Sequence, residues 1–203
     1  MRSGGTIAPS AFTPDGKTLA VVVRPPDGTW SLRTVAIRTG PNGLEAGTPE
    51  PFVDVPSGAA TSAFSPDGRW LAYTSSESGP FEVYVRGFPD NGTKRLVSGG
   101  GGMMPMWSPN GSDIFYRTQD QRLMVASYSV KDGVFNADPP RLWSSERLAN
   151  VGMTGNVDLA PDGTRFVVLM PADAAESRET RGHYTLVTNF FDAVRHRLAA
   201  SPR

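Results

Sequence analysis

The chain has no cysteine among its 203 residues and only two histidines, His183 and His196. The first absence excludes disulfides, thiol nucleophiles and cysteine-ligated metal. The second leaves little for acid–base chemistry near neutral pH. There is no basic excess either, because Lys and Arg number 20 against 20 Asp and Glu. Binding to nucleic acid through phosphate neutralisation is therefore disfavoured. Long apolar runs are also missing. The longest near the start covers residues 19–23, whereas a spanning helix needs about 20 residues, so no membrane segment is expected in this chain. The opening MRSGGTIAPS has one Arg and no apolar stretch behind it, unlike a signal peptide. The expectation is a soluble chain without an export address of its own.

What is abundant is turn formers and aromatics. Gly and Pro number 22 and 18, beside ten Phe, five Tyr and four Trp in a chain that is 38% apolar. That mixture describes a globular chain with many turns. The turns recur in one sentence: AFTPDGKTLAVVV from Ala11, AFSPDGRWLAYTS from Ala63, MWSPNGSDIFYR from Met106 and DLAPDGTRFVVLM from Asp158. The turn residues are Pro14, Asp15 and Gly16, then Pro66, Asp67 and Gly68, then Pro109, Asn110 and Gly111, then Pro161, Asp162 and Gly163. Each member has its reason: Pro presets φ, the Asp or Asn side chain accepts from nearby backbone N–H groups, and Gly takes positive φ.

The prolines are spaced by 52, 43 and 52 residues. A period of about 40–50 residues with several short strands in each copy signals propeller blades. After every turn comes a second strand, beginning at Lys17, Arg69, Ser112 and Thr164. A third follows from Trp30, Phe81, Arg122 and His183, and a fourth in EPFVDV, KRLVS and PRLWSS, with none in the last copy. In the third strand of the second copy, Phe81, Val83 and Val85 take one face and Glu82, Tyr84 and Arg86 the other. GLEAGTP and GVFNADP mark a long hairpin in the first and third copies, where the second has the tight PDNGTK turn. Long and short blades should therefore alternate.

These residues resemble the PD40 or TolB-type, WD40-like propeller repeat. The order DGRWLAYTSSESGPFEVYVRGFP, GGGGMMPMWSPNGSDIFYR, LMVASYSVKDGVFNADPPRLW and YTLVTNFFDAVRHRL is most similar to the C-terminal propeller segment of bacterial serine/threonine protein kinases. The resemblance implies an all-β propeller of four-stranded antiparallel blades, approximately 6–57, 58–100, 103–148 and 153–190, with a short helix at 191–198. Four blades, the last without its final strand, make an open arc of a larger propeller of six or more blades the expectation, with a closed four-bladed ring as the alternative. The kinase elements themselves are absent from the sequence: no Val-Ala-Ile-Lys, no His-Arg-Asp, no Asp-Phe-Gly. The resemblance thus implies a non-catalytic sensing or binding module without cofactor, engaging a protein or small ligand at a propeller face. It also implies a periplasmic or extracytoplasmic location if a membrane kinase carries it, and a cytoplasmic one otherwise. The alternatives are the cap of a prolyl-oligopeptidase-like hydrolase and a free-standing TolB-type interaction protein.

Other candidates have plainer readings. Residues 98–102, SGGGG, suggest a phosphate cradle but lack the following Gly-Lys-Ser/Thr, and fit a flexible link between blades. No Gly-x-Ser-x-Gly elbow accompanies His183 or His196, and neither has metal-ligand spacing. Asp15, Asp67, Asn110 and Asp162 invite a calcium ring, yet each has a duty in its own turn. Asn91 and Asn110 match the glycosylation pattern by chance. Met103, Met104 and Met106 form a soft cluster on an expected loop, for core filling or contact. The charged loop at 172–182 is a weak contact candidate.

Overall fold

The computed structural model describes residues 5–26, 28–55, 61–152, 155–163 and 165–171. The chain divides into two compact units, residues 1–171 and 172–203. The second unit lies outside the described residues, and with it the expected strand from His183, the loop at 172–182, both histidines and the expected helix at 191–198.

Each Pro-Asp-Gly or Pro-Asn-Gly turn closes a hairpin in the same way. In the first, the Gly16 N–H donates to the Thr13 carbonyl at 2.8 Å and the Thr13 N–H to the Thr18 carbonyl at 2.9 Å. Gly16, Gly68, Gly111 and Gly163 hold φ near +70°, a region in which a Cβ is strained. The strands on either side are rich in β-branched and aromatic residues, which suit a pleated, buried surface. The first sheet contains β1 (Thr6–Phe12), β2 (Thr18–Arg24), β3 (Trp30–Gly40), β4 (Gly43–Ala46) and β5 (Glu50–Val55). The second contains β6 (Ser62–Phe64), β7 (Trp70–Ser75), β8 (Glu82–Gly87) and β9 (Lys94–Leu96). The third contains β10 (Met103–Trp107), β11 (Asp113–Arg117), β12 (Leu123–Lys131), β13 (Val134–Ala137) and β14 (Arg141–Ser144), and a pair, β15 (Val157–Leu159) and β16 (Phe166–Val168), begins the fourth. All pairing is antiparallel, and in every sheet neighbours in sequence are neighbours in space, apart from the two hairpins described next. These sheets are propeller blades, and the described residues contain no helix.

Two blades depart from the expected four strands. The first half of β3 pairs with β5, from Trp30↔Val55 to Thr34↔Glu50, while its second half overshoots and pairs with β4, from Ile37↔Ala46 to Gly40↔Gly43. β12 does the same with β14 and β13. A third strand that outruns its blade must find partners for its extra backbone groups, and folding back on itself supplies them. The outer edges are blunted: Pro51 lies within edge strand β5, and Pro139 and Pro140 stand directly before β14. Proline offers no N–H to an incoming strand.

Side-chain alternation sends each strand's residues to two junctions. Leu71 and Tyr73 of β7 join Tyr84 and Phe64 against Ala20, Val22 and Leu32 of blade 1. Their neighbours Trp70 and Ala72 join Val83 and Val85 against Trp107, Ile114 and Tyr116 of blade 3. Phe115, Leu123 and Val125 then meet Val157, Leu159 and Phe166 of blade 4. Blade 2 is consequently buried on both faces, and all six residues of β7 are inaccessible. The polar face expected for Glu82 and Tyr84 is not solvent-facing: each is only 6% exposed. The innermost strands are also stitched together by hydrogen bonds. Ser62 Oγ donates to Ser10 Oγ at 2.8 Å, and Trp107 Nε1 donates to the Ala63 carbonyl at 2.8 Å.

Two outcomes follow from this packing. Trp107→Ala should lower unfolding free energy by about 3–5 kcal/mol, read from the urea midpoint, because it empties a core site and orphans the Ala63 carbonyl. Alkaline titration supplies the other. Burial pushes the Tyr116 phenol up to about 12, and burial beside Asp67 and Asp113 pushes Tyr128 to about 12; Tyr73 is raised too, chiefly by burial. A raised folded-state value means that folding favours the neutral phenol, so stability should hold below pH ~10 and fall as pH rises towards ~12. Denaturant midpoints against pH, with absorbance at 295 nm, measure this.

Candidate functional site

In an antiparallel meander the first and third connections lie at the same end. The Pro-Asp-Gly turns therefore share one end of the blades with the hairpins β3–β4 and β12–β13 and with the β8–β9 turn. Neighbouring turns touch there: a Cβ on Gly68 would lie 3.4 Å from Pro14 Cδ, and one on Gly163 would lie 3.2 Å from Pro109 Cδ.

The acids of this end are engaged locally. Asp15 Oδ1 accepts from Thr13 Oγ1 at 2.7 Å and from the Lys17 N–H at 3.0 Å, bonds that hold its carboxyl below the usual carboxylate range. Asp67 Oδ1 accepts from Ser65 Oγ at 2.5 Å and the Arg69 N–H at 3.1 Å. Asn110 Oδ1 accepts from the Ser108 and Ser112 hydroxyls. Asp162 Oδ2 accepts from Arg165 Nε at 2.6 Å. Pro66 and Pro161 complete their turns beside Asp67 and Asp162. Among the described residues no three His, Asp or Glu side chains gather as a metal site.

Between these turns and the overhanging hairpins lie grooves. One, about 620 Å³, runs between blades 1 and 2 and is lined by Thr18, Thr34, Arg38, Glu50, Phe52, Phe88, Pro89 and Asp90. Its aromatic floor is fixed from below, since Phe88 packs edge-on to Phe64 at 4.9 Å and lies 6.0 Å from Phe52. Phe88 and Pro89 also line a smaller groove of about 260 Å³ beside Asp15 and Asp67. A third groove, about 470 Å³, lies between blades 2 and 3 beside Asn110 and Tyr128. Asp90 accepts from Arg86 Nη1 at 2.7 Å, while Arg38 and Glu50 stand exposed at the rim. Aromatic rings, hydroxyls, one guanidinium and two carboxylates suit stacking and hydrogen bonding. No lining residue is a nucleophile paired with a base.

Sequence reasoning did not reach this groove, because Arg38 lies on β3, Phe52 on β5 and Phe88 in the bend after β8, and they meet only through blade stacking. The available signal was the long third strand of the first copy, whose overhang supplies one wall. The Met cluster was placed wrongly on a loop: Met103, Met104 and Met106 belong to β10, with Met103 and Met104 buried. Asn91 Oδ1 accepts from the Thr93 N–H at 3.0 Å. The link at 98–102 is tied down rather than slack. Glu82, an unanticipated buried carboxylate, accepts from Ser98 Oγ and from the Gly101 N–H at 3.0 Å. Ser98 Oγ in turn accepts from the Val83 N–H at 2.7 Å. The glycine run does aim an N–H at an acceptor, and that acceptor is the chain's own Glu82 side chain.

No family model and no curated protein matches this chain. Solved structures resemble it weakly. TolB from Acinetobacter baumannii is 20% identical, with 79% of this chain and 41% of that one covered at a TM-score of 0.42. A putative TolB from Agrobacterium tumefaciens is 17% identical, with 65% and 48% covered at a TM-score of 0.45. The chain spans less than half of either.

The Glu82 network makes a testable claim. Glu82→Gln replaces one of the two accepting oxygens by a donor and leaves the Ser98 hydroxyl without its acceptor, and should cost about 1–3 kcal/mol of stability in denaturant unfolding. Hydrogen exchange of the Gly101 and Gly102 amides should accelerate in the same variant.

Proposed function

We propose that this chain is a non-catalytic binding module that receives a protein or peptide segment on the turn end of its blades. The groove between blades 1 and 2 carries the reading. It is concave and about 620 Å³ in volume, within the range of ligand sites. Its floor is held by core packing and its polar groups stand at the rim, the arrangement of an aromatic anchor site with a hydrogen-bonding margin. The likeness to the propeller segment of bacterial serine/threonine kinases supports a finer reading, in which the module is the extracytoplasmic sensing part of a membrane kinase-type receptor. Fold analogy alone assigns no activity, so that attachment rests on the motifs of the repeat.

The groove is tested by selecting a displayed peptide library against the purified chain, then repeating the binding with Arg38→Glu and Glu50→Lys. Both side chains are at the surface, so folding should be retained. Selected peptides should lose about tenfold or more in affinity when rim charges are reversed. Peptides that bind both variants as tightly as the parent, or that are cleaved, or phosphate transfer from ATP, would sink the reading. An in-frame membrane helix and kinase elements encoded ahead of residue 1 test the receptor attachment separately.

A further inference from the structure

The far end of the blades, opposite the Pro-Asp-Gly turns and the grooves, carries the second connections and the links between blades. There β11 finishes on Arg117, which is 1% exposed. Together with Phe115 and with Leu123, its partner on β12, it belongs to the face of blade 3 that packs against blade 4. Nη2 donates to the Gly152 carbonyl at 2.9 Å and lies 3.7 Å from Met103 Sδ. Nε and Nη1 are buried with no acceptor among the described residues. A guanidinium keeps its proton at any ordinary pH, so what is buried is a charge.

No described carboxylate compensates it. Asp120, the acid nearest in the chain, is engaged elsewhere: Oδ1 accepts from Thr118 Oγ1 at 2.6 Å, while Oδ2 lies 3.1 Å from Arg122 Nε and 3.7 Å from Arg147 Nη2. Two guanidinium groups already share that side chain. Glu82 is held by Ser98 and Gly101, and Glu146 lines the apolar hollow beside Trp143 and Phe166. Nor does the fold demand a cation here. Eight residues after the turn proline, where blade 3 has Arg117, blade 1 has Val22 and blade 2 has Thr74. Val22 is part of the core between blades 1 and 2. Thr74 is 1% exposed, as Arg117 is, but its hydroxyl is satisfied by the Met104 N–H at 3.2 Å and by Thr61 Oγ1 at 3.0 Å. An unpaired buried charge costs a fold far more than either residue. Its cover is thin, since Gly152, whose carbonyl caps the guanidinium, is itself exposed.

We infer that Arg117 is the binding group of an oxyanion site at the junction of blades 3 and 4, where Nε and Nη1 receive a carboxylate or phosphate group. The site lies at the other end of the blades from the groove and is independent of what the groove binds.

The test is denaturant unfolding of the 203-residue chain at fixed ionic strength, with sodium phosphate or sodium acetate replacing sodium chloride. Stability of the parent should rise and saturate, the folded-to-unfolded ratio growing about 11-fold at ten times the dissociation constant. Arg117→Met keeps a long unbranched side chain in place and should show only the unsaturable salt effect common to folded proteins. A saturable response to phosphate alone marks a phosphate ligand and one to acetate a carboxylate, and each supports the site. A readout on the parent needs no variant to fold: the Arg117 Nε–H nuclear magnetic resonance signal, assigned through its side-chain correlations, should shift along the same saturation curve. Equal anion dependence in parent and Arg117→Met, or an Nε–H signal that does not move, means that the chain and its solvent already satisfy the guanidinium and overturns the inference.

Discussion

Everything in this molecule depends on sheets that are apolar on both faces. A blade such as blade 2 cannot stand in water, because alternation gives it Leu71, Tyr73 and Tyr84 on one side and Trp70, Val83 and Val85 on the other. Each face must be covered, and its neighbour in the chain is the sheet that covers it. Stability in such an array is close to a sum over neighbouring junctions. The polar cross-links follow the same geometry. Arg117, 1% exposed, sends Nη2 to the Gly152 carbonyl at 2.9 Å and so ties blade 3 to the segment leading into blade 4. Burial alone holds its guanidinium below the usual value.

The sequence reveals the blades because the turn is a local device. Gly at positive φ, Pro before it and an acid that serves its own loop are readable without any partner, and the strands that flank them need only alternation. The fourth strand EPFVDV coincides with β5 for the same reason. What depends on neighbouring blades is not written locally. Met103 and Met104 look like loop residues among glycines, yet both belong to β10, where Met103 pairs with Arg117 of β11, and both are buried. Glu82 looks like the polar half of an amphipathic strand, yet its carboxylate fills the curve of the following link. Residues of one type meant different things according to which blade stood opposite.

The overhanging hairpins show how such a stack acquires a surface to work with. Junction packing leaves little freedom in the strands, so variation collects where strands exceed the blade. β3 is eleven residues long against six for β8, and the difference in length creates a step between blades 1 and 2. The step is walled by the β3–β4 hairpin and floored by Phe52 and Phe88, which are also part of the inter-blade packing. The groove is therefore as rigid as the junction beneath it. A ligand held there needs little reorganisation of the protein, which is the main advantage of placing recognition on a stacked scaffold.

That coupling also sets which substitutions separate binding from folding. Phe88 touches both Phe64 and Phe52, so removing its ring would loosen the junction as well as the floor, and a loss of binding would carry no information about contact. Arg38 and Glu50 belong to the overhang and to the exposed start of β5, where side chains are free of the core. The charge of the rim can therefore vary while the aromatic floor stays fixed by the fold. Blades 1 and 3 both carry overhangs and blade 2 does not, so the two steps that flank blade 2 can differ in chemistry without altering the stack that positions them.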